Sequence, residues 1–369
     1  MEQSLAYLSR SDQLKARVSR LALKAGANGR LPPMRQLSRE LGVSLMTLDR
    51  TYHELELEGL LIRKHGSGVF VSTDAVLRSV ALIHDRDIAG PGISPFCRLL
   101  LDVLTPMSQD AGLRLRFYLD AGHAMRGLPG AAELREEVTR GRVAGALYVG
   151  RPEGPLVDDL RTWGIPLVTF SETPTPAPWV HLDLEDLARS AVGHLARQSC
   201  RRVALLTPWG PEGPGVAAFR EALRSAGLSD DPARIAPAQA MDVHAETPVN
   251  EESGYFATRA LFEGGPRETA PDALVSFDDL MTRGAMAALH RMRIEPARHV
   301  RVVSHANGDS PVLSIYASKV VLYEYAPADV ARAMMDIVEA RMDGRAPSSD
   351  MVAVRGRLIA KAMQEGGAA

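Results

Sequence analysis

The chain has 369 residues, 46% hydrophobic and 24% charged, with a net charge of −2. That length calls for two or three compact units rather than one small core, and the composition excludes long disorder. No apolar run approaches the roughly 18 to 20 residues of a membrane span, and Met1-Glu2-Gln3-Ser4 opens no charged-then-apolar leader, so a cytoplasmic protein is expected. The two cysteines, Cys97 and Cys200, form no CxxC pair and no disulfide framework, so neither a metal nor a cofactor is expected. Charge divides unevenly. Residues 1–78 hold 12 Lys and Arg against 8 Asp and Glu, and the remainder holds 31 against 37. A basic head on an acidic body fits a nucleic-acid-binding module joined to something that avoids nucleic acid.

Taken in chain order, Leu14, Val18, Leu21 and Leu23 mark an amphipathic helix ending near Gly26 and Gly29. A short helix from Met34 to Leu41 follows the break at Leu31-Pro32-Pro33, with Leu37 and Leu41 on one face. Gly42 closes it and Val43 packs inward. Ser44 is an N-cap candidate for a third helix that runs to about Glu58. Leu48, Tyr52 and Leu55, with Met46 or Leu45, are expected to face the core. Gly59 ends the helix. Leu60–Arg63 and Val69–Val71 then read as a hairpin around Lys64-His65-Gly66-Ser67-Gly68. The order of elements is that of a winged helix-turn-helix.

The run from Leu31 to Ser44, continued by Thr47-Leu48-Asp49-Arg50, Glu54–Leu60 and Gly66–Val71, resembles the DNA-binding domain of the GntR family over about residues 10 to 72. The resemblance implies that the N-terminal end of the third helix enters the major groove, with the Ser44 and Thr47 hydroxyls near phosphates or base edges. Arg35 would clamp a phosphate, Arg50 would reach the backbone or a base, and Arg63, Lys64 and His65 would bring the wing to the DNA, helped by the Gly66 amide. Leu45, Met46 and Asp49 complete the expected contact surface. Leu45 and Asp49 depart from the family, which often carries arginine at both places. A carboxylate at 49 can accept from cytosine N4 but repels phosphate.

Beyond Ser72-Thr73-Asp74, short apolar strands alternate with amphipathic helices. Expected strands are Ser79–Ile83, Leu115–Leu119, Val143–Val149, Pro166–Phe170, Val203–Leu206, Ala273–Phe277, Val300–Val303 and Lys319–Tyr323. Expected helices include Phe96–Ala111, Leu184–Arg197, Gly215–Ala226, Glu252–Phe262 and Asp279–Met292, with Asp279 as an N-cap. Such alternation argues for parallel sheets with helices on both faces, in two lobes. The expected fold is therefore α/β: an N-terminal winged helix-turn-helix in residues 1–75, then a bilobed periplasmic-binding-protein-like body of two parallel-sheet lobes in residues 76–369. The proline-rich 171–179 reads as a stiff crossover between lobes, with further crossovers near 304–310 and 343–350.

Several segments of the body resemble the sensor domain of LacI/GalR regulators. They include Ser94-Pro95-Phe96, Val143–Val149, His181-Leu182-Asp183 and above all Pro271–Leu289. A GntR head on such a body is the arrangement of arabinose-repressor-like regulators. The resemblance implies operator DNA, a sugar-like effector between the lobes, and a homodimer. Candidate pocket residues are Asp85, Arg86, Phe96, Tyr148, Trp209, Asp278 and His305. Two family anchors are missing: an arginine where Gly215 stands, and an aspartate where Ser304-His305-Ala306-Asn307 stands. The expected function is a ligand-controlled transcription regulator, most readily a repressor. The alternative is a constitutive DNA-binding dimer with a ligand-blind body, and a third reading is a sugar-binding or enzymatic body with a vestigial head. No phosphate loop, GxSxG elbow or HExxH motif supports an enzyme.

Overall fold

Gly42 sets the geometry of the N-terminal unit. Helix α1 (Arg10–Ala25) leads to α2 (Met34–Leu41), which ends where Gly42 adopts a left-handed φ of 67°. That conformation is cheap only for a residue without Cβ. The turn is fixed by the Val43 amide donating to the Ser38 carbonyl at 3.0 Å and by the Ser38 hydroxyl donating to the Val43 carbonyl at 2.6 Å. Ser44 then caps α3 (Leu45–Leu57): its Oγ accepts from the Thr47 amide at 3.0 Å. Leu14, Val18, Leu37, Leu48, Tyr52, Leu55 and Leu61 form one apolar cluster that locks the three helices. Strands β1 (Leu61–Lys64) and β2 (Gly68–Val71) pair antiparallel as the wing, and Arg30 adds a bridge to Phe70. This computed structural model describes residues 10–360 except 27, 58, 65, 73–77, 85–94, 120–130, 140–141, 151, 153–154, 177, 239–249, 265 and 267.

The body is two sheets with helices on both faces. The first has the order β13-β7-β6-β5-β3-β4, formed by β3 (Arg78–His84), β4 (Leu113–Leu119), β5 (Val143–Val149), β6 (Leu167–Phe170), β7 (Trp179–Leu182) and β13 (Met351–Val354). Its pairings are parallel. Helices α4 (Pro95–Asp110) and α11 (Pro327–Met342) cover one face, and α5 (Ala131–Thr139) and α6 (Pro155–Thr162) the other. Residues alternate between these faces with the two-residue strand period. In β5, Leu147 and Val149 join the α4/α11 side, whereas Ala146 and Tyr148 join the α6 side.

The second sheet has the order β14-β12-β11-β10-β8-β9, formed by β8 (Val203–Thr207), β9 (Ile235–Pro237), β10 (Ala273–Ser276), β11 (Arg301–Asn307), β12 (Val321–Tyr325) and β14 (Arg357–Ile359). Only β14 runs antiparallel to its neighbour among these pairings. Helices α7 (Leu184–Arg197) and α8 (Val216–Ser225) pack on one face, and α9 (Asn250–Glu263) and α10 (Asp279–Arg291) on the other. The expected parallel-sheet lobes are thus present. Strand β11 continues four residues past the expected end at Val303. Its polar tail stays in the sheet because Ser304–Asn307 pair with Leu322–Tyr325 of β12, while the buried Ser304 hydroxyl is satisfied by the Thr282 hydroxyl at 2.6 Å and the His305 carbonyl.

The lobe crossovers lie elsewhere than the prolines imply. Strand β7 still belongs to the first sheet and α7 packs on the second, so the chain first crosses at 183. It returns at 326, between β12 and α11, and crosses again at 355–356, between β13 and β14. Segment 171–179 joins β6 to β7 within one sheet, folded back by the Trp179 indole donating to the Ser171 carbonyl. Segment 304–310 lies within and just after β11, and 343–350 joins α11 to β13 in the first lobe. Proline stiffness marks a loop, not the lobe to which the next strand returns.

Close approach of α9 to α10 depends on glycine at both helices. A Cβ on Gly284 would stand 1.8 Å from the Glu251 carbonyl oxygen, and one on Gly254 would stand 2.1 Å from the Met281 carbonyl oxygen. Overpacking of this kind costs about 1–3 kcal/mol. Gly284→Ala is therefore expected to lower the urea midpoint of the full chain by that equivalent at unchanged slope. An unchanged midpoint would show that the two helices separate freely.

Candidate nucleic-acid interface and interlobe site

The first turn of α3 stands clear of the head's core. Ser44, Leu45, Met46, Thr47, Asp49 and Arg50 are all exposed, while Leu48 between them is fully buried. Leu45 is 45% and Met46 82% exposed, so neither faces the core as the helical period suggested. The cap removes the need: with Ser44 outside the helix, Leu48, Tyr52 and Leu55, with the buried Thr51, fill the stripe that faces the core. The Ser44 and Thr47 hydroxyls lie 2.7 Å apart and share a hydrogen bond. Arg35 is exposed on the first turn of α2, and Gly66 turns the wing at φ 69°. His65 lies outside the described residues.

Arg63 does something the sequence did not predict. Its guanidinium donates to the Asp49 carboxylate at 2.8 Å and to the Asp49 carbonyl at 3.1 Å, and its Nε stands 3.3 Å from a Glu56 carboxylate oxygen. The Arg63 amide also donates to Glu56 at 3.2 Å. The base of the wing is thereby tied to the exposed side of α3. The Asp49 carboxylate, still more than half exposed, is paired with this guanidinium. Arg50 leans on Glu54 with Nε 3.3 Å from its carboxylate, and the Lys64 ammonium sits 4.9 Å from the centre of the Phe70 ring.

The second candidate region lies at the carboxyl ends of the body strands, the place where ligands bind in open α/β sheets. Asp278, after β10, is the N-cap of α10 and accepts from the Met281 amide at 2.7 Å. Asp279, the expected cap, is instead buried and accepts from the Asn307 side-chain amide at 3.1 Å. Burial pushes the Asp279 carboxyl up to about 6. His305, at 7% exposure, packs its ring against Tyr325 at 5.3 Å between centroids. Neither of its ring nitrogens has a hydrogen-bond partner, and the same holds for Asn307 Oδ1 and Glu172 Oε2. Burial pulls the His305 imidazole down to about 4, against the opposing charge of Asp278.

Glu172 follows β6 in the first lobe, and its charge helps raise the Tyr325 hydroxyl of the second, after burial as the main cause. The carboxyl accepts a backbone hydrogen bond from Leu182, yet burial dominates and pushes it up to about 8. Tyr325 donates to the Asp183 carbonyl at 2.8 Å, and Tyr323 donates to Asp186, so the tyrosines of β12 are held at the first crossover. Buried polar groups without partners are uncommon and expensive. Here Glu172 from one lobe and His305 and Asn307 from the other supply several of them at one end of the sheets.

The other expected pocket residues divide. Trp209 is half-buried in the loop after β8 and packs on the core. Phe96 is buried on the first turn of α4 against Phe170, 5.0 Å between ring centres. Tyr148 lies in the core beneath α6, on the face away from Leu147, and is no pocket residue. Asp85 and Arg86 lie outside the described residues. At Gly215, φ is 75° and a Cβ would come within 2.9 Å of Leu184 Cβ and 3.0 Å of the Phe277 ring. An arginine there would require the backbone to move. Glu172, Asp279 and Asn307 were missed, since burial cannot be read from an isolated polar residue beside a proline-rich loop or at a strand end.

Comparison with known proteins agrees with this geometry. Residues 7–71 match the model of bacterial regulatory proteins of the gntR family, and residues 192–362 match that of the periplasmic binding protein-like domain. The chain is 34% identical over 122 residues to the histidine utilization repressor of Pseudomonas putida, covering 31% of this chain and 47% of that protein. It thus spans about half the length of that curated relative. A regulatory protein of the LacI family from Chloroflexus aggregans superposes with a TM-score of 0.64 at 18% identity, over 77% of this chain and 98% of that one. The transcriptional regulator CelR, solved as a cellobiose complex, gives 0.61 at 17% identity, over 89% and 99%. The Escherichia coli transcriptional repressor ascG gives 0.57 at 18%, over 77% and 98%. At these identities the likeness is one of fold.

The interlobe carboxyl carries a pH signature. Glu172 holds its proton up to about 8 in the folded protein, whereas an unfolded glutamate loses it near 4.3. Folded protein then binds more protons across that window, so this group's contribution to stability falls as pH rises toward 8. Asp279, at about 6 in the folded protein, and the unfolded His305, at about 6.5, still titrate in part at the lower edge of the range from pH 6.5 to 8, so the Glu172 contribution is read as the difference between variant and parent. Glu172→Gln is expected to flatten the fall in urea midpoint between pH 6.5 and 8. Parallel profiles for variant and parent would show that Glu172 ionises normally.

Proposed function

Because a GntR-type helix-turn-helix domain precedes a periplasmic-binding-protein-like body in one chain, we propose that the protein is a sequence-specific transcription regulator, a repressor whose operator affinity is set by a small carbohydrate effector. The observation that carries this reading is the exposed, capped first turn of α3 beside a wing tied to it by Arg63. A helix presented in this way fits the major groove, with its side chains at base edges and the wing along the backbone. Arg35, Arg50 and Lys64 serve as phosphate contacts, together with His65 and the Gly66 amide. Arg63 acts by holding the wing.

The body supplies pairing and control. Two copies joined through it would set two heads over a two-fold operator, with half-sites about one helical turn apart. Glu172, Asn307 and His305 line the effector's place from both lobes, with Trp209 and Asp278 beside them. An effector that prefers one lobe arrangement changes operator affinity by linkage. The protein acts in the cytoplasm, on double-stranded DNA, without catalysis. A second reading, a constitutive DNA-binding dimer with a ligand-blind body, is favoured by Gly215, where no arginine anchor fits.

Selection of binding sites by the full chain from a random duplex pool tests the head. Enriched sites should be two-fold, with centres about 10 base pairs apart; a pool that stays random overturns the reading. A thermal shift of the full chain against mono- and oligosaccharides and sugar phosphates tests the body. A ligand at about 100 times its Kd stabilises by about 2.7 kcal/mol. Site enrichment with no shift across the panel selects the ligand-blind reading.

A further inference from the structure

Each exposed side chain on the first turn of α3 has a definable occupation. Ser44 caps the helix and shares a hydrogen bond with Thr47. Asp49 is held by Arg63, and Arg50 leans on Glu54. Leu45 and Met46 remain, adjacent on the chain, 45% and 82% exposed, and absent from the head's apolar cluster. Single exposed apolar residues are ordinary on protein surfaces. Two neighbours at the mouth of a helix that otherwise presents hydroxyls and charges are a small apolar tip, and water gains nothing from it. Turned into the major groove, such a tip meets mostly hydrogen-bonding edges. The apolar feature it would find there is the thymine C5-methyl group.

We infer that Leu45 and Met46 read thymine methyl groups in each half-site, so that the operator carries thymine where these side chains lie. The inference rests on the proposed DNA-binding role of the head and names what that surface recognises. Pinning Asp49 to Arg63 supports it. The carboxylate that would otherwise repel phosphate and compete for cytosine is turned to the wing, leaving the apolar pair as the part of the turn with no polar partner to satisfy. Met46 is unbranched and adapts to a methyl at slightly different depths. Leu45, branched and half as exposed, tolerates less displacement.

Deoxyuridine differs from thymidine in the 5-methyl group alone and keeps the base-pairing hydrogen bonds. The test is to replace each thymine of a selected site by deoxyuridine in turn and to measure binding of the full chain by fluorescence anisotropy. Burying one methyl corresponds to about a fourfold change in affinity. One or two positions per half-site should weaken binding by about fourfold, and the others should not. Met46→Ala should bind the thymine and deoxyuridine forms of one such site equally, while Met46→Leu keeps the preference. If the selected site binds specifically but no deoxyuridine replacement weakens it, the methyl readout is wrong and the DNA-binding role stands. If no sequence is selected from a random pool, the DNA-binding role fails and the readout fails with it. Because the central measurement alters only the DNA, it does not depend on how well a variant folds.

Discussion

The contact between Arg63 and Asp49 organises the head. One guanidinium reaches a carboxylate, a backbone carbonyl and a second carboxylate on the same helix. Exposed pairs of this kind contribute only about 0.2–1 kcal/mol each, so the value of the contact is geometric. It ties the base of the wing to α3 at several points. A loose wing would have to be ordered at the moment of binding, and that ordering subtracts from affinity. The same contact decides which side chains are left to meet a partner. It engages a basic residue of the expected wing contacts and pairs the exposed charge of Asp49.

A comparable constraint acts in the body through residues without side chains. Gly284 and Gly254 let α9 and α10 touch backbone to backbone, and Gly215 lies where Leu184 and Phe277 leave no room for a Cβ. The missing arginine anchor is thus a packing fact rather than a simple substitution. The polar groups near the lobe junction differ accordingly. A carboxyl that keeps its proton to about 8 and an imidazole that stays neutral to about 4 present two neutral groups at ordinary pH, beside the Asp278 and Asp279 carboxylates. Neutral donors and acceptors suit an uncharged polyol better than a strongly ionic ligand. That chemistry is a ground for the proposed carbohydrate effector, held by hydrogen bonds instead of by a bidentate arginine.

Much of the fold was legible in the sequence because its signals are local and periodic. Leu48, Tyr52 and Leu55 fall on one helical face, Gly42 and Gly59 end helices with left-handed backbone, and Ser44 caps α3. The apolar runs of β5 and β8 bounded their strands to within a residue. What was not legible depends on distance across the fold. The partner of Arg63 lies fourteen residues away on another element. Asp278 takes the capping role expected of Asp279, because only the turn after β10 decides which carboxylate reaches the Met281 amide. The prolines of 171–179 announce a stiff loop, yet sheet pairing of β7 decides that the lobe does not change there. Tyr148 was placed by its chemistry in a pocket, while strand alternation turns it into the core.

The central claim is that the α3 and wing face is an electrostatic and shape match for duplex DNA. Its most direct test is the salt dependence of binding between the full chain and one selected duplex. For a two-headed protein making roughly six to ten phosphate contacts, affinity should fall about 10³- to 10⁵-fold between 50 and 200 mM salt, linearly on logarithmic axes. Arg35→Ala should make that slope shallower by the loss of about one contact per head. A slope near zero, or one that Arg35→Ala leaves unchanged along with Lys64→Ala, would contradict the claim and would mean that this face meets some other partner.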